Sequence, residues 1–179
     1  MSRFVNKKIS IYVLIIDLFI IFDYNMNKRV VIVKTTVNFK KLDARATTPT
    51  YGSEYSAGAD LYAVCDDDVV IESGKTVLIH TGIAMEIPEG YGGFIFARSG
   101  LASKKGLAPA NKVGVVDADY RGEIMVALHN HSEIAQTVCH GERIAQLVVM
   151  PFLACEFIEC DELSETVRGS GGFGSTGSK

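Results

Sequence analysis

No stretch of this chain keeps apolar residues in a 3.6-residue period over three turns, the pattern that a core-facing helix requires. From Val30 onward it shows instead short β-branched runs broken by Gly, Pro, Asn and Asp. The runs Val30–Val33, Val69–Ile71, Val77–Thr81, Gly93–Ala97, Val113–Val116, Ile124–His129, Ile144–Met150 and Cys155–Ile158 read as strands. Turn signals separate them at Ser73-Gly74, Pro88-Glu89-Gly90, Arg121-Gly122 and His140-Gly141. Leu101–Lys105 suits one short helical turn. Many short strands, without a long helix or an internal repeat, make the expected fold all-β, a sandwich or jelly-roll-like β-barrel.

The two ends differ from this body. Residues 9–22 are apolar for 14 positions, interrupted by Ser10 and Asp17. A spanning helix needs about 20 apolar residues, and an Asp at its centre costs roughly 2.5–3.5 kcal/mol on an insertion scale. Arg3, Lys7 and Lys8 precede the run as in a signal peptide, but no small-residue cleavage site follows it. Met26 then opens a run that reads as a first strand, and 154 residues extend from there to Lys179. Residues 1–25 are therefore expected to be an extension from an upstream start codon, with a weak membrane tether as the alternative. No stable membrane association is expected.

At the other end, Arg168–Gly177 sets one aromatic, Phe173, among glycines and hydroxyls. Such a segment is too flexible to pack a core, so an ordered role has to come from a ligand. Its parts suit a nucleotide: a ring to stack on a base, an Arg fork and exposed backbone N–H groups for phosphates. It is not a P-loop, because that motif needs Gly-Lys-Ser/Thr opening a helix, and here the chain ends. The expected organisation is an extension over 1–25, a β domain over 26–163 and a mobile arm over 164–179.

A chain of 179 residues holds one domain, with or without an appendage. The net charge of −3 argues against a general nucleic-acid binder, which is normally basic. A polyphosphate needs only a locally positive pocket, and Arg98, Arg143 and Arg168 can supply one. The four cysteines, Cys65, Cys139, Cys155 and Cys160, form no CxxC pair, which favours reduced thiols and a cytoplasmic setting. Cys139-His140 and the pair His129 and His131 match no common zinc spacing.

Four further segments complete the picture. They are Ala57–Ala63 (AGADLYA), Ala97–Ala102 (ARSGLA), Asn111–Gly122 (NKVGVVDADYRG) and Gly141–Leu147 (GERIAQL). In this order, with the Gly-rich tail last, they resemble the five motifs of the trimeric dUTP nucleotidohydrolases, and the likeness runs from about Met26 to Lys179. Each is unspecific alone: Asp117 would be a turn aspartate, Tyr120 strand packing, Asn111 a turn former and Arg98-Ser99-Gly100 an ordinary tripeptide.

The resemblance implies three subunits around one axis with active sites at their junctions, dUTP as substrate and Mg²⁺ as cofactor. It makes Asp117 the general base that activates water for attack on the α-phosphate. Asp119, two positions on, points to the opposite face of an extended segment and takes no role. Tyr120 would lie against the deoxyribose and leave no room for a 2′-hydroxyl. Asn111 and the hairpin main chain, from Gly114, Val115 and Val116 to Met125, would read the uracil edge and exclude a 5-methyl group. Ser99 would donate to the oxygen bridging the α and β phosphates, Gly100 would let the backbone approach, and Arg98 would grip phosphate or pair between subunits. Asp60 and Gln146 would hold metal-bound waters, Gln146 also touching substrate. Phe173 would stack on uracil while Arg168, Gly172, Gly174, Ser175 and Thr176 bracket the β and γ phosphates.

The related dCTP deaminase group is an alternative within enzymes, but it lacks the Gly-Val-Val-Asp-Ala-Asp-Tyr hairpin pattern. A non-catalytic nucleotide-sensing module is the alternative outside them, and it would more plausibly have lost Asp117 or the tail. Ala97 stands where proline is common in relatives, a departure outside the reacting groups.

Overall fold

The structure is a computed structural model in which residues 35–172 are described. Among the described residues, the compact unit that begins at Thr36 has eleven strands and one short helix. All strand pairings are antiparallel. One sheet joins β1 (Asn38–Lys41), β5 (Thr76–Glu86), β9 (Glu123–Asn130) and β7 (Leu107–Pro109), in the order β1-β5-β9-β7. A second joins β2 (Thr50–Tyr51), β3 (Ala59–Tyr62), β11 (Arg143–Pro151), β6 (Tyr91–Phe96) and β8 (Val113–Val116), in the order β2-β3-β11-β6-β8. β4 (Val69–Ile71) and β10 (Gln136–Val138) form a separate pair. The result is the all-β jelly-roll architecture expected from the spacing of the β-branched runs.

Strict alternation explains why β9 faces as it does. Ile124, Val126, Leu128 and Asn130 are buried, while the residues between them are half-buried. Their apolar side chains join Ile79 and Ile83 of β5, Leu61 of β3, Ile144 and Leu147 of β11 and Ile95 of β6 in one continuous core. Asn130 is fully buried and fully bonded: its amide donates to Ile71 O and Ile134 O, each at 2.8 Å, and its carbonyl accepts from Ser132. It ties β4 to the loop that follows β9.

The helical turn begins two residues earlier than expected and spans Ser99–Lys105 (α1), burying Leu101. Gly106 ends it in the left-handed region at φ 67°, its N–H bonded to Ala102 O. Lys104 and Lys105 sit in the last turn, where the helix dipole favours cations.

Two expected strands need comment. Val30–Val33 lies outside the described residues. Cys155–Ile158 is not a strand: from Phe152 to Thr166 the backbone has no ladder partner, and Leu153, Phe157 and Leu163 are about nine-tenths exposed. An apolar run becomes a strand only when another edge pairs with it, and none pairs with that segment among the described residues. β1, β2, β3, β7 and β10 were missed because they are short or carry Lys, Asp, Pro and Gln, which dilute the β signal.

Candidate active site

An open cleft of about 760 Å³ lies where β3, β11 and the end of β6 meet α1. Antiparallel register builds its floor: Gln146 of β11 stands opposite Asp60 of β3 on one side and Phe96 of β6 on the other. Asp60 is only 8% exposed. Its Oδ1 accepts from Arg98 Nε at 2.7 Å and its Oδ2 from the Arg143 guanidinium at 3.2 Å. Arg98 also donates to Arg143 O at 3.2 Å. One carboxylate therefore fixes two guanidinium groups whose remaining donors stay available to the cleft.

Around that centre, Gln146 Nε2 donates to Ala97 O at 2.8 Å, which locks the side chain and leaves its Oε1 as the acceptor. Gly58 makes this packing possible, because a Cβ there would lie 2.7 Å from Gln146 Oε1. Ser99 and Gly100 line the cleft at the start of α1. Beyond its own helix backbone and chain neighbours, nothing among the described residues lies within 4 Å of where a Gly100 Cβ would be, so the backbone there is open to an approaching group. Lys112 is a further cation on the rim, held at φ 67° in the turn between β7 and β8. With Arg98, Arg143 and Lys112 against Asp60, the cleft is positive in a chain of net charge −3.

The other candidates sit elsewhere. Asp117 follows β8 directly, and the turn to β9 is closed by Tyr120 N donating to Asp117 O at 3.1 Å. The Arg121 guanidinium donates to Ala118 O at 2.6 Å and Tyr120 O at 3.0 Å, stiffening the turn from outside. Asp117 is exposed, and its carboxylate has no hydrogen bond or ion pair among the described residues. The Tyr120 hydroxyl donates to Glu123 O at 2.9 Å. Asn111 precedes Lys112 in the exposed turn, with Gly114 packed on Ile95 and Val115 outward. Val116 is buried and Met125 half-buried.

Glu123, at the start of β9, carries the main electrostatic shift near this hairpin. Burial pushes its carboxyl up, but the His80 ring and the Gly82 and Thr81 N–H groups outweigh it and hold it below its ordinary value.

In the arm, Arg168 folds back to donate from Nε to Gly171 O at 2.7 Å within a turn over Val167–Ser170. Among the described residues, nothing beyond its chain neighbours lies within 4 Å of where a Gly172 Cβ would stand. Phe173, Gly174, Ser175 and Thr176 lie outside the described residues.

Within one chain, then, Asp60, Arg98, Ser99, Gly100 and Gln146 come together, while Asn111, Asp117, Tyr120, Met125 and Arg168 are not among the residues lining that cleft. Arg98, for which the resemblance implies a phosphate grip or a pairing between subunits, is bonded to Asp60 of its own chain. Lys112 and Gly58 were missed as site residues. Only their places beside Asn111 and inside the Ala-Gly-Ala-Asp motif could have flagged them.

A jelly roll with this order of motif-bearing strands and a cationic cleft defines a class of nucleotide hydrolases. Residues 44–177 match the dUTPase family, and the chain belongs to that family. It is 50% identical over 146 residues to the deoxyuridine 5′-triphosphate nucleotidohydrolase of Desulfitobacterium hafniense (strain DSM 10664 / DCB-2), covering 81% of this chain and 97% of that protein. Its structure is similar to the Staphylococcus bacteriophage 80alpha dUTPase solved with dUpNHpp, at a TM-score of 0.70 and 29% identity, covering 80% of this chain and 99% of the other. It is also similar to the dUTPase of the S. aureus phage phi11, solved with a structural Mg(II) ion, at a TM-score of 0.66 and 25% identity, covering 73% and 100%.

Proposed function

We propose that this chain hydrolyses dUTP to dUMP and pyrophosphate, limiting uracil in DNA and supplying dUMP for dTTP synthesis. The observation that carries the reading is the half-identity to a dUTP nucleotidohydrolase over nearly all of that protein's length. In the mechanism, Asp117 takes a proton from a water as its oxygen attacks the α-phosphorus. Exposure without a partner suits that role, because the carboxylate is free to accept. Ser99 donates to the oxygen leaving with the β-phosphate, and the Arg98 and Arg143 fork faces the phosphates across Asp60. Asn111 and the main chain from Gly114 to Met125 read uracil, and Tyr120 bars the ribose hydroxyl. Phe173 covers the base while Arg168, Gly172, Gly174, Ser175 and Thr176 reach the outer phosphates, excluding water.

The same reading makes the enzyme a homotrimer with shared sites. Two features support it: Asp117 is not among the residues lining the Asp60 cleft, and the exposed segment from Leu153 to Leu163 has no ladder partner among the described residues. That segment is long enough to add a strand to another subunit and deliver the arm there.

Mg²⁺ is the proposed cofactor. Among the described residues no group of three or more His, Cys, Asp or Glu could hold a metal ion directly. The donor set fits an ion carried by the triphosphate and reached through water, the usual habit of Mg²⁺. Asp60 keeps lone pairs beyond its two Arg bonds, and Gln146 Oε1 is free of the Ala97 bond, so both suit metal-bound waters. When bound, the ion neutralises charge on the triphosphate. Free cysteines agree with a cytoplasmic setting.

Product analysis with dUTP, dCTP, dTTP and UTP, each with Mg²⁺, tests this. Release of dUMP and pyrophosphate from dUTP alone is the expected result. Deamination of dCTP moves the chain to the sister group, and dUTP binding without turnover makes it a sensor.

A further inference from the structure

We propose that Gly122 and Glu123 determine sugar specificity by clamping the Tyr120 ring, an inference that rests on the reading of Tyr120 as the group against the deoxyribose. The Tyr120 hydroxyl reaches Glu123 O at 2.9 Å, which curls the ring back over Gly122. A Cβ on Gly122 would overlap that hydroxyl and lie 2.6 Å from Tyr120 Cζ and 3.0 Å from Cε2. Gly122 is not among the glycines at positive φ, so no left-handed backbone calls for glycine there. The Tyr120 side chain supplies the three atoms nearest to where a side chain there would begin.

Glu123 holds the other jaw. β5 bulges between His80 and Ala84, opposite the start of β9, and the bulge turns two successive N–H groups toward the Glu123 carboxylate. Its Oε1 accepts from Thr81 N at 3.2 Å and Gly82 N at 2.7 Å, and its Oε2 meets His80 Nδ1 at 2.9 Å. Gly82, at φ 66°, permits the bulge where a Cβ would press on Ala46 and Asp43. The carboxylate pins the first residue of β9 to the core strand β5, and so fixes the carbonyl that receives the Tyr120 hydroxyl. Sugar exclusion is steric, so it is only as strict as the ring is immobile. Both residues are positioning residues: neither needs to touch the nucleotide.

The test is kcat/KM for dUTP and for UTP in the wild type, Gly122→Ala, Glu123→Gln, Tyr120→Ala and the Gly122→Ala/Tyr120→Ala double variant. Gly122→Ala is expected to lower the dUTP-to-UTP ratio by about tenfold or more, and Glu123→Gln by a smaller factor. Once the ring is gone, adding Gly122→Ala is expected to change the ratio by less than about twofold. An unchanged ratio in folded Gly122→Ala overturns the proposal, as does an equal fall in both backgrounds. If Gly122→Ala does not fold, Glu123→Gln decides, and an unchanged ratio there overturns it. Full selectivity in Tyr120→Ala removes the underlying reading of Tyr120, which separates that failure from a failure of the clamp.

Discussion

The Asp60 cleft and the Asp117 hairpin hold their carboxylates in opposite ways. Asp60 is buried and bonded to two guanidinium groups; Asp117, one strand-end away from the core, is exposed and bonded to nothing described. A phosphate grip works best when its cations are already in place, so that no reorganisation is needed as charge develops. A general base works best when its lone pairs are uncommitted. One carboxylate is committed to two guanidinium groups and the other is uncommitted among the described residues, so the two proposed roles can be separated by mutation.

Asp117→Asn is expected to have the largest effect on turnover and almost none on the fold. We expect kcat to fall by about 10²–10⁴, with nucleotide still bound. Stability should stay within about 0.5 kcal/mol, as for an exposed unbonded residue. Steady-state kinetics beside a melting curve checks both, and near-normal kcat would take Asp117 out of the mechanism.

Asp60→Ala should reverse that profile. The partly buried Arg98 and the exposed Arg143 lose a buried acceptor, so we expect a loss of about 1–3 kcal/mol in chemical denaturation, most of it from Arg98. Weaker dUTP binding should accompany it. A variant as stable as the wild type would show that the two Arg groups find other partners.

Phe173→Ala should act more mildly, at the scale of a base–aromatic stack of about 1–3 kcal/mol, read as a fall in kcat/KM. The arm should also be cut more readily by protease without a non-hydrolysable dUTP analogue than with it. Equal protection in both states would make it a passive tail.

The smallest expected effect is acid sensitivity from Glu123. Its carboxyl titrates lower folded than unfolded, so its contribution is full above the unfolded value, near 4.5, and is lost as pH falls through the folded one. Melting temperature against pH should therefore drop less steeply on the acid side in Glu123→Gln than in the wild type. Parallel curves would mean that the bulge holds without the charge.

Much of the fold was legible because it rests on local periodicity. The β-branched runs at Val69–Ile71, Val113–Val116 and Ile144–Met150 all fall within strands, and the run after Thr76 extends to Glu86. What misled was context. Cys155–Ile158 has strand composition and no partner, whereas Asn38–Lys41, Leu107–Pro109 and Gln136–Val138 have poor composition and good partners. Motif order likewise pointed to Asp60, Arg98 and Gln146, but not to Arg98 pairing within its own chain. Gly122 reads in sequence only as a turn glycine at the end of its motif and Glu123 carries no signal, since a glutamate opening a strand is ordinary.

The sequence by itself determined the all-β class, the family and the roster of chemical groups, because these depend on residue type and short spacing. Only the tertiary structure decided which of those groups are already bonded to one another. Asp60 meets Arg98 across 38 positions and Glu123 meets Thr81 across 42, contacts that strand register creates and local pattern does not encode. The same register left Asp117 free. How each carboxylate is held was therefore decided by packing, where burial makes an unpaired charge costly and exposure does not.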